Sequence, residues 1–101
     1  MSTIVISGRI GIKPEKREEA IQAGQTMMAA THQEEGCIDY EFFFPLTDPG
    51  TVFVFEEWES QAHLEKHFVA AHMGVFREQL KDIVTGESRF KRYVVESAEK
   101  M

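Results

Sequence analysis

Cysteine occurs once in the 101 residues, at Cys37, so no disulfide can close within the chain and no cysteine cluster can hold a metal. A lone thiol fits a reducing compartment. The surrounding EEGCIDYE is acidic, and nearby negative charge disfavours a thiolate, so Cys37 is expected to be an inert thiol. No apolar run approaches the ~20 residues of a membrane span, and MSTIVISGRI lacks the cationic start and unbroken apolar stretch of a secretion signal. A cytoplasmic protein is expected, without a membrane partner. Positive charge is also scarce: eleven basic against seventeen acidic residues give a formal charge of -6, which argues against a nucleic-acid backbone as partner. The basic residues Arg89, Lys91 and Arg92 read as a solvated or edge-protecting face of a strand. What is present, 43% hydrophobic and 28% charged residues, is enough for one globular domain spanning residues 1–101, with a frayed tail over 97–101.

Along the chain, alternation from Thr3 to Ile12 marks a first strand, with Ile4, Ile6, Gly8, Ile10 and Ile12 on one side and Ser7, Arg9 and Gly11 on the other. Pro14 suits a first helical turn, and a helix is expected from there to about Glu35, closed by Gly36. Its inner side holds Ala20, Ile21, Gly24, Met27, Met28 and Thr31, with Ala23 elsewhere. Cys37 to Pro45 reads as a second strand, with Ile38, Tyr40, Phe42 and Phe44 on one face. LTDPG is a turn signal, and Thr51 to Trp58 a third strand with Val52, Val54, Glu56 and Trp58 on one face. Ser60 is an N-cap for a second helix carrying Leu64, Phe68, Ala71 and Val75, bent near Met73 and Gly74 and ended by Gly86. Glu87 to Glu96 completes the order β-α-β-β-α-β. This is an α+β, ferredoxin-like arrangement with a four-stranded antiparallel sheet and helices on one face.

Neither face of the central hairpin is cleanly polar. Phe43, Phe53 and Phe55 fall on the side that two helices cannot cover, which points to a homodimer. At ~100° per residue, His67 lies about 60° from Leu64 and so faces the sheet. Trp58 and His67, nine residues apart around a strand-to-helix corner, can therefore line one pocket. Both also have plain structural readings, Trp58 as core and His67 hydrogen-bonded to a strand carbonyl. His63, His67 and His72 raise a metal question, but no further ligand sits at suitable spacing and His32 is distant. No metal site is expected, and His63 and His72 read as flank or surface residues.

KPEKREE at the start of the first helix, EEGCIDYE at the second strand and FEEWESQAHLEKHFVAAHMGVF resemble the antibiotic biosynthesis monooxygenase superfamily, dimeric α+β-barrel proteins that include quinol monooxygenases and polyketide-anthrone oxygenases. The resemblance implies a dimer with its sheets packed face to face. It implies a pocket between sheet and helices, and oxidation of a small quinol-like or polycyclic phenolic molecule by O2 without a cofactor. On this resemblance His67 is the expected base and Trp58 an aromatic wall, both catalytic. Tyr40, Ser7, Arg9, Met28 and Phe68 are the expected substrate contacts. Haem-degrading relatives carry a Trp where this chain has His67, and their haem-ligating His falls at about Arg77, so haem chemistry is not expected. Two other readings stand beside the oxygenase: an isomerase of a small hydroxy-carbonyl metabolite on the same scaffold, and a non-catalytic ligand-binding dimer.

Overall fold

The computed structural model describes residues 2–101. The strands are β1 (Thr3–Ile12), β2 (Cys37–Phe43), β3 (Thr51–Trp58) and β4 (Val84–Val95). The helices are α1 (Arg17–Thr31), entered through a 3-10 turn at Pro14–Lys16, then α2 (Gln61–Phe68) and α3 (Ala71–Leu80). All pairings are antiparallel and the strand order is β2-β3-β1-β4, the ferredoxin-like sheet expected from the sequence. No helix among the described residues is long and apolar enough to cross a membrane.

The alternation in β1 and β3 is realised as read. Ile4, Ile6 and Ile12 are buried with Val52, Val54, Glu56 and Trp58, and the core between sheet and helices is completed by Ala20, Met27, Phe42, Leu64 and Phe76. The β2–β3 hairpin closes on Asp48, whose carboxylate accepts the Gly50 amide at 2.9 Å and the Thr51 hydroxyl at 2.7 Å. Both hydrogen bonds favour the charged form and hold the Asp48 carboxyl below the usual range.

Five local expectations are corrected. The first helix stops at Thr31 rather than near Glu35, and residues 32–36 form turns. Ala23 is buried while Ile21 is only half-buried, so the inner stripe of α1 is centred on its small residues. Ile38 is 49% exposed because the pairing shifts between Cys37 and Asp39, and that irregularity turns its side chain out of the core. The second helix breaks at Val69–Ala70, not at Gly74, which leaves α3 as a separate rod. Gly86 lies inside β4 with φ +99°, where the β1–β4 register shifts between Ile10 and Ile12, so its left-handed backbone serves a bulge rather than a helix end.

The helices cover β1, β2 and β3, whereas β4 is exposed along nearly its whole length. The opposite sheet face carries Val5, Phe53, Phe55 and Glu57, all only half-buried, and Phe43, 55% exposed. Phe43 stands opposite Phe53 in the β2–β3 ladder, and the Arg9 guanidinium lies 4.4 Å from the centre of the Phe53 ring.

Candidate functional site

A cleft of about 630 Å³ opens between the helix-facing side of the sheet and α3, on the half of the sheet that the helices leave free. Its floor and walls are mainly apolar, with Ile6, Phe42, Val54, Phe68, Phe76 and Phe90 among them. The Phe90 ring lies over Gly8 of the neighbouring strand, so the far wall is built on a position without a side chain. Polar groups enter at few points: Tyr40, Glu56 and Ser88 from the sheet, Arg77 from α3, and Lys81 and Glu87 at its margin.

Glu56 is the most consequential of these. Strand alternation forces it inward between Val54 and Trp58, and it is only 7% exposed. Burial, opposed by the Trp58 hydrogen bond and reinforced by the Glu34 charge, raises its carboxyl from 4.5 to about 7. The Trp58 indole N–H donates to Glu56 Oε1 at 3.0 Å. The result is a carboxyl group that changes charge near neutral pH inside an apolar, aromatic-lined cleft. Tyr40 stands beside it, and burial with the carboxylates of Glu56 and Glu34 holds its phenol well above its ordinary range, so it is a hydroxyl donor rather than a phenolate.

Behind this wall lies a second polar cluster. Trp58 and His67 are both fully buried, with ring centres 4.8 Å apart, and the Tyr40 ring is 5.2 Å from that of His67. A carboxylate only accepts, so His67 Nδ1–H donates to Glu34 Oε2 at 2.7 Å, and His72 Nε2–H donates to the same oxygen at 2.6 Å. His67 Nε2 is buried and has no hydrogen-bond partner among the described residues. Burial lowers the His67 pKa despite the Glu34 contact, which keeps the ring neutral.

The corner that opens α2 brings Glu34 here. Ser60 caps the helix by accepting the His63 amide at 3.2 Å, and the Glu59 amide donates to the Gly36 carbonyl at 2.8 Å, tying residues 32–36 to the end of β3. Gly36 has φ +82°, and a Cβ there would run into the His63 ring. Gly36→Ala is therefore expected to cost about 1–3 kcal/mol, read as a lower urea midpoint.

The residues singled out in the sequence separate into three places. Tyr40 and Phe68 line the cleft, whereas Trp58 and His67 sit directly behind it without lining it. Met28 packs against the core, with its sulfur accepting the Phe42 amide at 3.4 Å. Ser7 and Arg9 lie exposed on the opposite sheet face, where neither reaches the cleft. His63 is held by Ser60 at 2.7 Å and reaches Glu35 at 3.3 Å, while His32 Nε2–H donates to the Tyr40 carbonyl at 2.9 Å. His72, read as a flank or surface residue, is instead turned toward Glu34 by the break between α2 and α3. Burial, with the acidic neighbours adding to it, pushes the Cys37 thiol up to about 11, in keeping with the inert thiol expected. Glu56 and Glu34 were not singled out; for Glu56 the signal was available, a lone carboxylate on the inward face of a strand.

Residues 3–79 match the antibiotic biosynthesis monooxygenase family. The "Uncharacterized protein sll1783" of Synechocystis sp. is 34% identical over 92 residues, 91% of this chain, and the match spans 63% of that relative's length. The "Probable quinol monooxygenase YgiN" of Escherichia coli K12 is 27% identical, covering 80% of this chain and 86% of the relative. Among solved structures, a conserved protein from Methanosarcina mazei Go1 superposes with a TM-score of 0.85 at 28% identity, covering 92% of both chains. Family match, strand order and helix placement agree, and the chain belongs to the antibiotic biosynthesis monooxygenase family.

Proposed function

We propose that this protein is an oxygenase of small hydroquinones or polycyclic phenols that needs no cofactor. The observation that carries this reading is Glu56, a carboxyl titrating at about 7 in a cleft whose walls are aliphatic and aromatic. A cleft of about 630 Å³ is ample for one or more fused rings, which pockets of ~300–1,000 Å³ ordinarily accept. Its scarcity of polar donors favours an aromatic substrate over a small hydroxy-carbonyl one, and its size speaks against a closed, non-catalytic binding site. The relative named as a quinol monooxygenase supports the same substrate class.

In this reading the Glu56 carboxylate takes the phenolic proton and the Tyr40 hydroxyl steadies the resulting oxyanion. The electron-rich phenolate passes one electron to O2, and the two radicals combine to form a carbon–oxygen bond. Loss of water from the ring hydroperoxide completes the sum: one hydroquinone and one O2 give one hydroxyquinone and one water. Trp58 positions Glu56 through its indole N–H, and His67 braces the wall formed by Tyr40 and Trp58. The test is oxygen uptake over a hydroquinone panel with ¹⁸O2, in which one labelled atom enters the product. Product formed equally fast under strict anaerobiosis removes the oxygenase and favours the isomerase.

The half-exposed Phe53, Phe55 and Phe43 support a homodimer in which the two open sheet faces pack together. A Phe53→Glu, Phe55→Glu double variant is expected to sediment as a folded or partly unfolded monomer while the wild type sediments as a dimer. A wild-type monomer at micromolar concentration defeats this assembly.

A further inference from the structure

We infer that Glu34, His67 and His72 form a site for a divalent first-row transition ion, zinc above all. Three separate segments contribute: the turn segment 32–36, α2 and α3. Glu34 Oε2 lies 2.7 Å from His67 Nδ1 and 2.6 Å from His72 Nε2, and the three atoms are all within 4.8 Å of one another. Two imidazoles and one carboxylate suit zinc, iron, cobalt or nickel rather than magnesium or calcium, which take oxygen ligands. Three protein ligands also leave a fourth position to water, as in open zinc sites.

Ligands ~2.0–2.1 Å from a tetrahedral ion stand about 3.3 Å apart, so the carboxylate has to retreat by roughly half an ångström to admit one. Glu34 can do so by side-chain torsion, because it belongs to a turn rather than a helix. His67 supplies an independent indication. With Nδ1 on an ion the ring carries its proton on Nε2, an atom buried beside the Tyr40 and Trp58 rings without a hydrogen-bond partner among the described residues. An N–H against aromatic faces is better tolerated there than a bare lone pair. The other histidines are committed elsewhere, His63 to Ser60 and Glu35, His32 to the Tyr40 carbonyl. None of the three ligands lines the cleft, so the site clamps the segment behind the wall, and ion binding there is read without measuring oxygenase activity.

The test is calorimetric titration of chelator-treated protein with Zn²⁺ at neutral pH, alongside Co²⁺ absorption spectroscopy and thermal unfolding. One ion per chain is expected, with Kd on the order of 1 μM or tighter, a tetrahedral Co²⁺ spectrum, and a midpoint that climbs with ion concentration. Glu34→Gln and His72→Gln should each weaken binding more than the ~10–100-fold that loss of an outer-shell partner costs. His63→Ala should leave it unchanged. Absence of saturable binding to folded wild-type protein, retention of affinity in both ligand variants, or its loss in His63→Ala overturns the assignment. Should either ligand variant misfold, the wild-type stoichiometry and cobalt spectrum still decide.

Discussion

Glu56→Gln is expected to lower turnover by about 10²- to 10⁴-fold, the ordinary worth of a positioned general base, while the protein becomes more stable above neutral pH. Both effects have one cause. Burial raises the Glu56 carboxyl from 4.5 to about 7, so charging it costs more in the folded chain than in the unfolded one. Below about pH 4.5 the group is protonated in both states and no penalty exists. Between 4.5 and about 7 the folded state binds more protons than the unfolded, and stability falls as pH rises through this window. Above it the full penalty is present, about 3 kcal/mol at ~1.4 kcal/mol per pH unit. Glutamine removes the charge and keeps the shape, so near pH ~8 the variant should exceed the wild type in urea stability by up to that amount. Wild-type kcat/KM should rise with pH through about 7 as the carboxylate forms, and the variant's residual rate should lack this inflection. A variant with wild-type turnover removes Glu56 from the mechanism, and one that loses stability above neutral pH overturns the burial penalty.

This opposition of activity and stability also explains how far the site could be read from residues alone. Alternation in β1 and β3 is a local property, and it places Ile4, Ile6, Val54 and Trp58 on the buried face without reference to any tertiary contact. The same alternation put Glu56 there. A carboxylate buried against an indole N–H rather than a cation breaks the rule that charges stay outside, and such a breach is itself a sign of function. The helical phase of α2 placed His67 toward the sheet, where it is fully buried. Phase could not place His72, because the break at Val69–Ala70 contains neither glycine nor proline and nothing local announces it. Glu34 was harder still. It lies 33 residues from His67, on turns whose position depends on the Gly36–Glu59 hydrogen bond and the capped corner at Ser60. Contacts made by a tie of that kind leave no periodic trace in the sequence. The aromatics of the open sheet face, by contrast, were legible because Phe43, Phe53 and Phe55 break the polar side of an alternating hairpin.

Trp58→Ala should cost about 3–5 kcal/mol for the cavity alone, since the indole is fully buried between His67, Tyr40 and the sheet. Against a total stability of ~5–15 kcal/mol, that is a large fraction of what holds the chain folded. The informative companion is Trp58→Phe, which keeps most of the apolar volume and removes the indole N–H. Two consequences separate the structural and positioning roles of this residue. The volume lost lowers stability by about 1–3 kcal/mol, measured as a lower urea midpoint, and leaves the pH dependence of the rate untouched if volume is all that matters. The lost hydrogen bond does something different. It favours the ionised form of Glu56, so without it the carboxyl titrates higher than about 7. The acidic limb of the kcat/KM profile should therefore move to higher pH in Trp58→Phe. Activity should fall most at and below neutral pH and recover partly in alkaline buffer. A rate reduced by the same factor at every pH assigns Trp58 to packing alone, whereas a displaced limb makes the indole the group that keeps Glu56 available as a base near pH ~7.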